Sequence, residues 1–175
     1  VAAPNDAGGA ERAAPPFRSV LLICAANTAR SVMAEHLLIR ELRARGADDR
    51  IVVRSAGIAA YARDGALVSL DTRMVLRSEG IAVHDELTST DLKRHPELLE
   101  NADLVLAMTA AQAGDLRARF TEVRIPRLET FKSFAGESGD IADPVEQGHE
   151  AFTSCCEEIK RLVPMVVNRI LNGDQ

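Results

Sequence analysis

The chain has 175 residues, of which 46% are hydrophobic and 27% charged, with a net charge of −5. That is about one domain's worth, long enough to bury a sizeable core, and it excludes a disordered, collagen-like or disulfide-scaffold protein. The acidic balance disfavours a nucleic-acid or anionic-lipid partner, one tyrosine and no tryptophan make a poor base-stacking surface, and no apolar run approaches the ~18 residues of a membrane span.

Residues 1–16 are small, Pro- and Gly-containing and without an apolar stretch. They read as a flexible N-terminal arm rather than a secretory signal, with residues 17–175 as a single domain. Ser19 to Ile23 is a short apolar run ending at Cys24, the mark of a strand buried on both faces. Ser31 to Arg45 is predicted helical, with Met33, Ala34, Leu37, Leu38 and Leu42 on one side and Gly46 as its stop. Ile51-Val52-Val53 is a second strand, closed by Ser55-Ala56-Gly57. Ser69 can cap a helix running to Gly80. Thr90 to Asn101 is predicted helical despite Pro96. Leu104 to Met108 is a third strand, Thr109 caps a helix from Ala110 to about Phe120, and Val123-Arg124-Ile125 is a short fourth strand. Leu128 to Gly148 is a loop. The last helix carries a stripe of Phe152, Cys155, Cys156, Ile159, Val163, Val166 and Ile170, and Pro164 should kink it. Alternating strands and helices imply an α/β fold, a parallel sheet with helices on both faces and ligands beyond the carboxyl ends of the strands.

The three cysteines, Cys24, Cys155 and Cys156, are too few and too irregularly spaced for a disulfide framework or a zinc site. Reduced thiols in a cytoplasm fit better. Cys155 and Cys156 lie on the apolar stripe and read as core thiols.

Cys24-Ala25-Ala26-Asn27-Thr28-Ala29-Arg30-Ser31 joins the first strand to the first helix. A cysteine ending a strand is ordinarily a plain core thiol. Here the strand stops, a short loop turns, and a helix begins at an arginine. Such a loop can curl its N–H groups inward, and the helix N-terminus adds partial positive charge, which together form an anion site suited to a phosphoryl group. Arg30 would close it with a bidentate fork, and the same field favours Cys24 as a thiolate nucleophile.

Leu22 to Glu35, read as Leu-Ile-Cys-Ala-Ala-Asn-Thr-Ala-Arg-Ser-Val-Met-Ala-Glu, resembles the signature of the low-molecular-weight protein tyrosine phosphatases. The likeness extends from about Ser19 to Leu171. It runs through Arg54 to Gly57, Gly80 to His84, Ala102 to Met108, and Gly139-Asp-Ile-Ala-Asp143-Pro144, the last resembling the family's acid loop. The resemblance implies a three-layer sandwich around a four-stranded parallel sheet, a covalent cysteinyl-phosphate intermediate, no metal or other cofactor, and a phosphorylated protein as substrate for a monomer or weak dimer. It makes Cys24 the nucleophile, Arg30 the phosphate ligand, Ser31 a hydrogen-bond donor to the thiolate and Asp143 the general acid. Residues 25 to 31 cradle the phosphate. Asn27 takes the loop's left-handed position, held by Ser55 and His84.

Thr28 stands where tyrosine phosphatases of this type usually carry Ile, and resembles the protein arginine phosphatase branch of the family, as does Thr130 to Asp140. A threonine hydroxyl can accept a hydrogen bond from the N–H groups of phosphoarginine, whereas an Ile methyl cannot. A β-branched loop residue without selectivity is the plainer reading of Thr28. The chain departs from the family at Ala26, where many members have Gly, at Ala29, in place of a second cysteine that can form a protective disulfide, at Val32, in place of Pro, and at Val145-Glu146, where aromatics are usual. Tyr61 is a candidate to line the pocket in their stead. The alternative within the family is a tyrosine phosphatase. An arsenate reductase would need two further relay cysteines, and a non-catalytic phosphate-binding module would have lost Cys24 or Asp143.

Overall fold

The computed structural model describes residues 13–174. Most of the expected N-terminal arm, residues 1–12, lies outside them, but its last part does not behave as an arm, because Pro15 is buried. Four parallel strands form one sheet in the order β2-β1-β3-β4: β1 (Ser19–Cys24), β2 (Val52–Gly57), β3 (Leu104–Ala107) and β4 (Leu128–Thr130). The helices are α1 (Arg30–Ala44), α2 (Leu70–Ser78), α3 (Glu97–Glu100), α4 (Ala110–Arg119), α5 (Phe131–Phe134) and α6 (His149–Asn172).

The pleat of β1 and β3 sorts the core into two layers. Val20, Leu22, Cys24, Leu104 and Leu106 face α1, α2, α5 and α6. Leu21, Ile23, Val105 and Ala107 face α3 and α4. β1 pairs with β2 on one side and β3 on the other, and Cys24 lies opposite Gly57 in the register. The chain therefore leaves β1 in one direction and returns past it in the other, so the carboxyl end of β1 is the topological switch point where open α/β sheets bind ligands.

The expected helix starts hold. The Ser69 hydroxyl accepts from Thr72 N–H, and Thr109 and Gln112 form a reciprocal capping box. Three expectations need correction. The fourth strand is Leu128–Thr130, not 123–125, because Pro126 has no N–H to enter the ladder. Val105 N–H bonds to the Arg127 carbonyl at 2.9 Å, where the pairing begins. The supposed loop from Leu128 therefore holds β4 and α5. Residues 90–101 form a 3-10 turn at Leu92–Arg94 and the single turn α3, broken before Pro96, where the preceding residue is pushed away from helical angles. The last helix, α6, runs from His149 to Asn172 and contains Pro164.

Leu106 is fully buried at the centre of the sheet. Leu106→Ala is expected to cost about 2–5 kcal/mol of stability, measurable by urea unfolding.

Candidate active site

The loop between β1 and α1 wraps around the sulfur of Cys24. Asn27 N–H points at Cys24 Sγ from 3.3 Å, and the Ser31 hydroxyl lies 3.0 Å from it. Cys24 is 3% exposed. α1 begins at Arg30 with no side-chain cap and no acidic residue in its first turn, so none of its own side chains caps the N–H groups at its N-terminus or counters its dipole. That is the arrangement of an anion site.

The curl depends on Asn27, whose φ is +59°. Asparagine tolerates this left-handed backbone better than most residues. Its buried side chain is clamped on three sides. Nδ2 donates to Ser31 Oγ and to Ser55 Oγ, both at 2.9 Å, and Oδ1 accepts from Thr90 N–H at 2.8 Å. The backbone donor at Thr90 fixes which amide atom is oxygen. With Asn27 donating to Ser31 Oγ, the Ser31 hydroxyl proton is free to point at the Cys24 sulfur.

Ser55 thus supports Asn27 as expected, but His84 does not. The His84 side chain is exposed, and the segment that follows it turns back along β2. Ser89 N–H bonds to Ala66 O, and Gly57 N–H bonds to Thr90 O. That pairing delivers a backbone N–H, at Thr90, to the place assigned to His84. Ala26 does not have a positive φ, so replacing glycine there carries no left-handed penalty.

Two contributors were missed from the sequence. Gly57 faces the curl so closely that a Cβ would sit 2.8 Å from Ala25 O and from the Ala26 carbonyl carbon. Its φ is not the constraint; the close approach is. Glu35 ends the chain of hydrogen bonds, accepting from the Ser55 hydroxyl. Burial pushes its pKa up from the ordinary 4.5, against the opposing pull of that hydrogen bond. A carboxylate one turn beyond Ser31, on the side of α1 toward β2, was the available signal.

Arg30 is buried and spans to the acid loop. Nη1 donates to Ile141 O at 2.9 Å, and Nη2 lies 3.3 Å from Asp143 Oδ2. Asp143 is 46% exposed at its side chain, and its other oxygen accepts from Val145 N–H at 3.1 Å. Cys24, Arg30, Asp143, Thr28, Tyr61 and Val145 line one cavity of about 100 Å³, together with Ala25, Ala26 and Ala29. A wider hollow of about 500 Å³ beside Met165, Asn168 and Arg169 brings no nucleophile to its wall. Thr28 is anchored by its backbone: its carbonyl accepts from Ser69 N–H and Thr72 Oγ1. Among the described residues its hydroxyl makes no hydrogen bond. Cys155 packs behind the acid loop with Sγ 3.9 Å from Ala142 O. Burial raises Cys155 to about 12 and Cys156 to about 11, so both are neutral core thiols rather than relay nucleophiles.

The family described as low molecular weight phosphotyrosine protein phosphatase matches residues 19–174. The chain belongs to that family. Among relatives of this phosphatase, a protein-arginine-phosphatase of Geobacillus stearothermophilus is 34% identical over 157 residues, 89% of this chain and 97% of its own. A crystallised low molecular weight protein tyrosine phosphatase from T. tengcongensis superposes with a TM-score of 0.77 at 31% identity, covering 87% of this chain and 99% of that one. An arginine phosphatase in which a cysteine is replaced by serine, solved with its active-site serine phosphorylated, superposes at 0.76 with 28% identity, over 86% of this chain and 94% of that one.

Gly57→Ala in this phosphatase is expected to leave the circular dichroism spectrum intact while lowering activity about 100-fold, because the curl shifts under its own nucleophile. For Glu35, a raised folded-state pKa means that its contribution to stability is complete below pH 4.5 and is lost as the pH climbs through the raised value. Urea unfolding at pH 5 and pH 8 should therefore show Glu35→Gln gaining on wild type as pH rises; a constant difference would remove the assignment.

Proposed function

We propose that this phosphatase hydrolyses phosphoarginine in proteins through a phosphorylated Cys24. The observation that carries the reading is that Thr28 lines the same small cavity as Cys24, Arg30 and Asp143, with its hydroxyl unspent. A phenyl ring needs no acceptor there, whereas a guanidinium offers N–H groups beside phosphorus.

In this reading the Cys24 thiolate attacks phosphorus in line, and the P–N bond breaks. Asp143 is the group placed to give a proton to the departing nitrogen, since a guanidine is far too basic to leave as an anion. The loop N–H groups and Arg30 hold the phosphoryl oxygens as charge builds on them. The phosphoryl dianion competes with Asp143 for Arg30, so substrate binding releases the carboxyl group to face the leaving atom. Water then attacks the cysteinyl phosphate, Asp143 takes its proton, the S–P bond breaks, and phosphate leaves with the thiolate restored. Ser31 steadies that thiolate by hydrogen bonding. The phosphorylated serine in the solved arginine phosphatase supports a covalent step at this position. The three free cysteines support a reducing cytoplasm as the workplace, and the reading takes a monomer or weak dimer as the working form, acting on phosphorylated protein rather than nucleic acid. Among the described residues no helix is long and apolar enough to cross a membrane.

A phosphotyrosine reading draws on Tyr61, which lines the cavity and is 71% exposed, so that it can stack on a substrate ring.

Three outcomes test the proposal. Wild type should prefer a phosphoarginine protein over a phosphotyrosine peptide in kcat/KM, and Thr28→Ile should abolish that preference. Cys24→Ser should lose turnover on both. Asp143→Ala should slow phosphoarginine hydrolysis by about 10²–10⁴-fold but nitrophenyl phosphate much less, because nitrophenolate departs without a proton. Equal losses would remove Asp143 as the leaving-group acid.

A further inference from the structure

The cavity is small, about 100 Å³, against the several hundred cubic ångströms of sites that enclose a whole drug-sized ligand. The rest of a protein substrate has to lie across the rim. That rim includes apolar side chains. Among the described residues seven large hydrophobic side chains are exposed, and five of them are Tyr61, Leu67, Leu70, Met74 and Val145. Tyr61 and Val145 line the cavity mouth. Leu70 follows Ser69, whose N–H bonds to the Thr28 carbonyl at 3.1 Å, so the first turn of α2 is fastened to the cavity wall. Met74 is one turn further along the same face. α2 buries Thr72, Val75 and Leu76 on its other side, so the exposure of Leu70 and Met74 does not come from a loosely docked helix. The acid loop borders the same rim, because His149, which opens α6 just after it, pairs with Asp71 at 2.7 Å.

We propose that this rim, centred on Leu70 and Met74, is the docking surface for an apolar side chain of the substrate polypeptide close to its phosphorylated residue. The proposal rests on the phosphatase reading of the cavity and adds a sequence preference to it. The occupant follows from continuity: the Thr28 wall is fastened to the start of α2 through Ser69, so a chain whose phosphoryl group reaches Cys24 and that runs out over this wall meets Leu70 and then Met74. Contiguous apolar surface rimmed by polar groups is the usual mark of such contacts, and a well-covered anchor there changes affinity by about tenfold or more when removed. A flexible methionine beside leucine accepts several apolar shapes, so the preference is for Leu, Ile, Val or Phe rather than one residue.

The test uses four peptides, phosphoarginine and phosphotyrosine versions of one sequence, each with Leu or Ser flanking the phosphorylated residue, and nitrophenyl phosphate as a substrate that cannot reach the rim. Wild type is compared with the double variant Leu70→Ser, Met74→Ser, with circular dichroism checking the fold. The expected result is a kcat/KM advantage of about tenfold for the Leu peptides in wild type, gone in the variant, with nitrophenyl phosphate turnover unchanged. Equal rates on Leu and Ser peptides in wild type would overturn the docking surface while leaving the phosphatase reading in place. So would a dimer in sedimentation that the variant dissolves without any change in peptide preference, since the face would then belong to a second copy. Absence of turnover on all five substrates would instead remove the phosphatase reading, and the docking surface with it.

Discussion

The site is organised around one residue held in an unfavourable backbone conformation. Asn27 turns the chain through positive φ, and three hydrogen bonds from α1, β2 and the segment ending at Thr90 hold it there. Two of the three partners, Ser55 and Thr90, lie outside the eight residues from Cys24 to Ser31, so the loop geometry depends on the assembled domain as well as on the loop itself. A left-handed non-glycine residue costs roughly 1–2 kcal/mol. Three hydrogen bonds of about 1 kcal/mol each suffice to offset it. The curl of N–H groups, the seat of the sulfur and the aim of Arg30 all follow from that turn.

The arrangement then explains why the sheet is wound as it is. β1 sits inside the sheet with its residues buried beyond Ser19, so Cys24 rises from a strand paired on both sides. The other residues around the cavity come from the periphery of the sheet: Asp143 from a long loop and Tyr61 from the connection after β2. Glu146, the other non-glycine residue with positive φ among those described, lies just after Asp143. Backbone irregularity is thus concentrated on the two loops that meet at Arg30.

Much of this was legible in the chain before any coordinates. The strand–loop–helix alignment around Cys24 and Arg30 depends on local periodicity, which sequence reports well. Ser69 and Thr109 at two helix starts reported their caps for the same reason. What escaped depended on distance in sequence. His84 was assigned to Asn27 by resemblance, but antiparallel pairing between Ala66 and Ser89 slides a backbone group into its place, and backbone groups carry no signature in the residue letters. Glu35 looked like one more charged residue on a helix until Ser55 arrived from β2 to meet it. The short strand β4 was hidden because apolar content pointed to 123–125, while the absent N–H of Pro126 decided the ladder.

Thr28 is held by its carbonyl, not by its side chain. Ser69 and Thr72 grip the backbone, and among the described residues the hydroxyl makes no hydrogen bond. The anchorage of Thr28 therefore does not depend on its side chain. A replacement at this position can change the side chain at the cavity wall while the two hydrogen bonds that fasten the wall stay in place.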